Sequence, residues 1–224
     1  MIGQRFREIF YFWWRHLAPL FLVVAPFALL NQAVQWWLGP TVILKDDTIN
    51  SINLNSTLLV LMLRPLADAV IIAQLAFIQA GQPRGLLACL IPALTRLPAL
   101  LATYFLMGIA VSLGWLAFFF PALWVYARLC FAPYQVLLRN QPPLVALQDA
   151  FNRSQDQQWP LLLVLVMVFL VALLVSSAIS TLIGQILGNG LTGQALAALV
   201  AALLGTVTNV AVFRFWTLSQ QPSS

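Results

Sequence analysis

The chain has 224 residues, 62% of them apolar and only 8% charged, with a mean hydropathy of +0.91 and a net charge of +5. A soluble globular domain carries about 45–50% apolar and about 25% charged residues, so these charges are too few to cover a water-facing surface. Soluble enzymes, nucleic-acid binders and disulfide-framed secreted domains all fit poorly, and the basic balance points instead to membrane topology and anionic lipid head groups.

The N-terminal stretch 5–16 interleaves arginines with aromatic residues, as an interfacial helix does. A first span is expected at 17–38, bracketed by Trp13-Trp14 and Trp36-Trp37. About 22 residues at 1.5 Å each give roughly 33 Å, close to the hydrocarbon thickness, and indole rings favour the head-group level. The stretch is too long for the apolar region of a cleaved signal peptide, and no small-x-small site follows it. Further spans are expected at 56–80, 97–120, 122–138, 159–183 and 191–216, with Pro121 marking a tight reversal between the third and fourth.

These segments predict an all-α, polytopic fold of six transmembrane helices forming one domain. Arg5, Arg7, Arg15, Arg84, Arg96, Arg139, Arg153 and Arg214 fall on one side, against Lys45 beside Asp46 and Asp47 on the other. The positive-inside rule then puts both termini in the cytoplasm. Two connections on that side read as short amphipathic helices. In 85–97, Leu86, Leu87, Leu90, Ile91 and Leu94 recur at helical spacing. After Pro142-Pro143, Leu144, Leu147 and Phe151 mark one face and Gln148, Asp149 and Asn152 the other.

Helices in lipid associate through close packing and hydrogen bonds, because lipid tails are as apolar as leucine. Gly193, Ala197, Ala201 and Gly205 form a stripe that continues to Asn209, and Gly108 pairs with Ser112, Ala110 with Gly114, Ser176 with Ser180. Such faces serve packing within the chain or a homodimer. Gln74, Tyr104, Thr206, Thr208 and Asn209 are expected to bond between helices.

Charges in hydrocarbon cost about 2.5–3.5 kcal/mol on insertion scales and therefore mark candidate sites. Three qualify: Arg64 and Asp68 in the second span and Arg128 in the fourth. Arg64 and Asp68 lie four apart on one helix face. From the expected span starts, Arg64 and Arg128 lie about 10 Å deep and Asp68 about 18 Å. Long arginine side chains could gather all three into a net positive cluster suited to a phosphate or carboxylate head group. In the alternative, Asp68 neutralises Arg64 and Arg128 snorkels to the interface. Pro65 and Pro133 interrupt backbone bonding near these charges.

Cys89 and Cys130 sit in apolar surroundings, and the one histidine, His16, has no cysteine or carboxylate cluster beside it. No metal set, phosphate-cradling glycine loop or nucleophile–base pair is found, so neither cofactor nor enzymatic activity is expected.

The run Phe119-Phe120-Pro121-Ala122 through Arg128 to Phe131-Ala132-Pro133 resembles the YciC-like family of uncharacterised bacterial inner-membrane proteins. That family shows a Val-Pro-Gly turn, then an arginine-containing helix ending in Phe-Ala-Pro. Pro143-Leu144-Val145-Ala146-Leu147, on through Trp159, resembles its amphipathic cytoplasmic helix leading into the fifth span. Ala122 replaces the usual glycine, and Gln148, Asp149 and Ala150 stand where basic residues and a serine are common. The resemblance covers 97–165. It implies a six-helix inner-membrane protein of a bacterium with a two-membrane envelope, and supplies no reaction or substrate. The segment is also distantly similar to membrane domains attached to glycerophosphodiester phosphodiesterases.

The functional expectation is a non-enzymatic scaffold or accessory subunit engaging anionic phospholipid, a membrane-protein partner or a second copy, and no nucleic acid. The alternative is a small permease or lipid transporter using Arg64, Asp68 and Arg128.

Overall fold

A computed structural model describes residues 2–45, 48–188 and 190–220. Its helices are α1 (Ile2–Arg15), α2 (Leu17–Leu38), α3 (Leu54–Gln79), α4 (Leu86–Thr95), α5 (Leu97–Ala117), α6 (Phe119–Leu129), α7 (Ala132–Arg139), α8 (Pro143–Arg153), α9 (Gln158–Leu187) and α10 (Leu191–Ser219). Five of them, α2, α3, α5, α9 and α10, are long and apolar enough to cross a membrane. This is the pattern of a polytopic membrane protein, and the first span coincides with its expected bounds.

The sequence reading missed one element. Strands β1 (Val42–Lys45) and β2 (Thr48–Ile52) form an antiparallel hairpin between α2 and α3. Asn53 fastens it: its backbone N–H reaches Thr41 O at 3.0 Å, its side chain donates to Leu38 O, and its Oδ1 caps α3 at Ser56 N. Asp46 and Asp47, which the charge count set beside Lys45, lie outside the described residues.

The reversal after the third span falls at Phe118, a single extended residue, and Pro121 sits inside the first turn of α6. A proline there sacrifices no helical bond, because first-turn N–H groups are unpaired anyway. The segment 122–138 is not one continuous helix. It breaks at Cys130 and Phe131 into α6, of 11 residues, and α7, of 8. Pro133 is the cause: it has no N–H to give, and its ring would strike the carbonyl of Leu129. Asn140, with φ 63°, ends α7 in the left-handed conformation that Asn tolerates.

Helices α3, α5, α6, α9 and α10 touch one another in cyclic order. Helix α2 lies against α3 and α10, α1 against α10, α4 against α3, and α8 against α5, α6 and α7. Trp13 Nε1 donates to Thr206 Oγ1 at 2.8 Å, and the Arg214 guanidinium stands 5.2 Å from the Phe12 ring centre. The N-terminal helix therefore packs along the C-terminal half of α10, at the end of the bundle that carries α4, α7 and α8.

Burial is concentrated towards that end. Helix α2 buries Leu20, Val23, Val24 and Ala28 but nothing beyond; α9 buries residues between Leu161 and Val168 and leaves Phe169 to Leu187 largely open. In α3 the core begins, apart from Ser56, at Pro65, and in α10, apart from Gly193, at Thr206. The opposite end, with the hairpin and the Phe118 turn, exposes Trp37, Leu61, Leu116 and Ile186.

Helices α4 and α8 bury small residues and turn several large ones outward. Helix α4 buries Cys89 and Ala93 while Leu87 and Ile91 are exposed; α8 buries Ala146 and Ala150 while Leu144 is exposed. Small residues let backbones approach, and outward leucines suit an apolar solvent. The expected apolar faces thus exist but are divided: Leu86, Leu90, Leu147 and Phe151 pack against the protein, while Leu87, Ile91 and Leu144 point outward.

Candidate functional site

Asp68 is half-buried on α3 and accepts two hydrogen bonds, from Tyr104 Oη of α5 at 3.2 Å and from Asn209 Nδ2 of α10 at 3.3 Å. Three helices thus meet on one carboxylate. A neutral phenol and amide donate to it, and no cation pairs with it.

Arg64 lies one turn away on the same face of α3, towards the hairpin end, and is exposed. Its charge acts on Asp68, yet the two are not within ion-pair distance. Among the described residues the one ion pair is Arg153–Asp149 at 3.9 Å, on the surface of α8. Tyr126 of α6, 40% exposed, lies within electrostatic reach of both Asp68 and Arg64. On the other side of Asn209, Tyr134 of α7 donates to Asn209 O at 2.8 Å and packs against Phe213 and Trp216.

Glycines leave room above this group. Gly108 shares a face of α5 with Tyr104, and Gly205 shares a face of α10 with Asn209, each one turn nearer the hairpin end. A Cβ on either would meet nothing within 4 Å. These small positions, read as packing or dimer faces, leave open space one turn from Tyr104 and Asn209, the two donors to Asp68. Gly114 behaves differently: a Cβ there would stand 2.8 Å from Ala122 Cα, so it seats the α5–α6 hairpin.

Arg128 does not join the group. It is 4% exposed, and its Nη1 donates to Gln158 Oε1 at 3.1 Å, which also accepts Trp124 Nε1 at 3.2 Å. The guanidinium lies 3.9 Å from the Phe151 ring centre and 5.4 Å from that of Trp124. Ser154 Oγ closes the junction by donating to Arg128 O at 3.1 Å. These contacts turn Arg128 towards α8 and the start of α9. Arg128 therefore neither meets Arg64 and Asp68 nor snorkels outward. It is clamped between aromatic faces, a cation–π arrangement that fastens α6 to α8 and α9.

Three of the polar residues expected to bond between helices do so around this core, namely Tyr104, Asn209 and Thr206, and Gln74 accepts the Cys89 thiol at 2.9 Å. The Trp124–Phe151–Gln158 clamp went unrecognised. Trp124, four residues before Arg128, was the available signal, whereas Phe151 and Gln158 are distant in sequence. Among the described residues no group of three His, Cys, Asp or Glu side chains could hold a metal ion. What this cluster offers chemically is one acceptor carboxylate, neutral donors and a guanidinium without an ion pair, a set for binding a polar or charged group. No protein-family model, curated protein or solved structure matches the chain.

Proposed function

We propose that this is a non-enzymatic, multi-pass protein of a bacterial inner membrane, akin to the YciC-like proteins, with six crossings and both termini cytoplasmic. In this reading it holds a polar lipid head group in a groove above Asp68. An anionic group of the lipid lies against Arg64, and a hydroxyl or ammonium donates to Asp68. The carrying observation is the half-buried Asp68, bonded by Tyr104 and Asn209 but left unpaired with Arg64. A carboxylate in hydrocarbon with no cation beside it is costly, and a ligand that donates to it supplies what the protein leaves out. Arg128 belongs to the scaffold and not to this site.

A lipid transporter or small permease is the second reading. The break at Cys130 and Phe131 favours it, as does Gln135 beside the break, fully buried with neither side-chain oxygen nor nitrogen bonded. Interrupted helices with unsatisfied polar groups occur where substrates pass.

Native mass spectrometry of the protein released from native-membrane nanodiscs tests the site. The wild-type chain should retain a selected phospholipid that Asp68→Asn and Arg64→Gln lose and Arg128→Gln keeps. The same unselective lipid on all four would overturn the proposal.

A further inference from the structure

A second polar site lies at the other end of the bundle. Helix α1, the last turn of α3 and the last turns of α10 enclose a cavity of about 280 Å³ lined by Arg5, Glu8, Gln79, Arg214 and Thr217 over an apolar floor that includes Ile9. Two arginines and one glutamate line it, leaving one net positive charge. Among the described residues neither arginine is ion-paired, with Glu8 or with any other carboxylate. The Arg214 guanidinium is steadied by the Phe12 ring at 5.2 Å, and Thr217 Oγ1 donates to Arg214 O at 2.8 Å, which leaves the hydroxyl's lone pairs free.

Two arginines converging on a small cavity suit a tetrahedral oxyanion, because guanidinium donors match phosphate oxygens in pairs. Glu8 and Gln79 serve a different part of the ligand: they accept from a hydroxyl or ammonium beside the phosphate. The volume is below that of pockets for drug-sized ligands, as a head group requires. We infer that this cavity binds a phosphate ester bearing hydroxyl or amine donors, with the phosphate between Arg5 and Arg214 and the donors on Glu8. A phospholipid head group and a soluble sugar or glycerol phosphate share this chemistry. The site does not depend on the groove at Asp68.

The test uses the full chain in nanodiscs of phosphatidylcholine, with and without phosphatidylglycerol, and glycerol 3-phosphate as the soluble probe. Retained lipid is read by native mass spectrometry and soluble binding by calorimetry. Arg5→Gln should weaken binding about tenfold, the loss of one charge-assisted bond, while Arg7→Gln, an equal change of charge at an exposed position outside the cavity, should not. Arg214→Gln should match Arg5→Gln. If it fails to fold, Arg5→Gln against Arg7→Gln decides. Loss of retained phosphatidylglycerol identifies a lipid site, and loss of glycerol 3-phosphate binding in phosphatidylcholine nanodiscs a soluble one. Equal effects of Arg5→Gln and Arg7→Gln, or no binding of either probe to the wild-type chain, would overturn the inference.

Discussion

The two ends of this bundle solve different problems. At the end with the short helices, α1, α4, α7 and α8 wedge between the long ones, and Phe131, Phe213, Leu75 and Leu161 are fully buried. Within its core Arg128 is enclosed, with aromatic rings, Gln158 and Ser154 around it. At the hairpin end the same long helices expose leucines and phenylalanines, and glycines face open space above Asp68. Asp68 there is held by neutral donors, with no cation within ion-pair distance. The contrast teaches that intramembrane charges are not one class: packing around each decides whether it fastens helices or receives a ligand.

Substitutions can break this comparison, and the largest effects should come from the core. Phe131→Ala should cost about 3–5 kcal/mol, whereas Phe169→Ala, 58% exposed, should stay within about 0.5 kcal/mol. Denaturant titration in micelles reads both; similar losses would mean the ends are equally packed. Arg128→Ala should cost about 2–3 kcal/mol through its ring contacts and hydrogen bond, against almost nothing for exposed Arg64→Ala. If Arg64→Ala proved the more damaging in the same titration, the assignment of roles would be reversed.

Glycine substitutions sharpen the contrast inside single helices. Gly114→Ala should destabilise by about 1–3 kcal/mol because its Cβ meets Ala122 backbone, while Gly108→Ala and Gly205→Ala should stabilise by up to about 1 kcal/mol. Thermal melts of the three variants suffice, and a loss at Gly205→Ala would place a neighbour where the groove is drawn. Trp13→Phe should cost about 1 kcal/mol through the lost bond to Thr206. The smallest effect is chemical: burial pushes the Cys89 thiol up to about 11, only partly offset by Arg84, so it stays protonated at neutral pH. Maleimide should label it slowly in the folded protein and rapidly after unfolding.

Much of the fold was legible because lipid imposes length. The tryptophan pairs fixed 17–38, and the other long helices needed only hydropathy. The break after Leu129 was not legible as a break: Pro133 was noticed, but an unbroken apolar run hid its effect on the backbone. The β1–β2 hairpin was masked by its shortness beside twenty-residue spans. Arg64 and Asp68 could be paired from their spacing alone. Tyr104 and Asn209 belong to other helices, and only the folded structure shows that both donate to Asp68. Arg128 was misplaced because its depth was counted along a straight helix, while its partners Phe151 and Gln158 arrive through α8 and α9. On α4 and α8 the leucine periodicity was real, but the small residues Cys89, Ala93, Ala146 and Ala150 share the protein contact with it, and Leu87, Ile91 and Leu144 turn outward.

The most direct test of the open hairpin end is the rate at which a polar, membrane-impermeant thiol reagent modifies Gly108→Cys and Gly205→Cys in proteoliposomes, beside Ala132→Cys as a buried control. Native Cys89 and Cys130 are buried and provide the background. Rapid modification at 108 and 205, with 132 as slow as the background, is the predicted result. Equally slow modification at all three positions would contradict an open groove leading to Asp68.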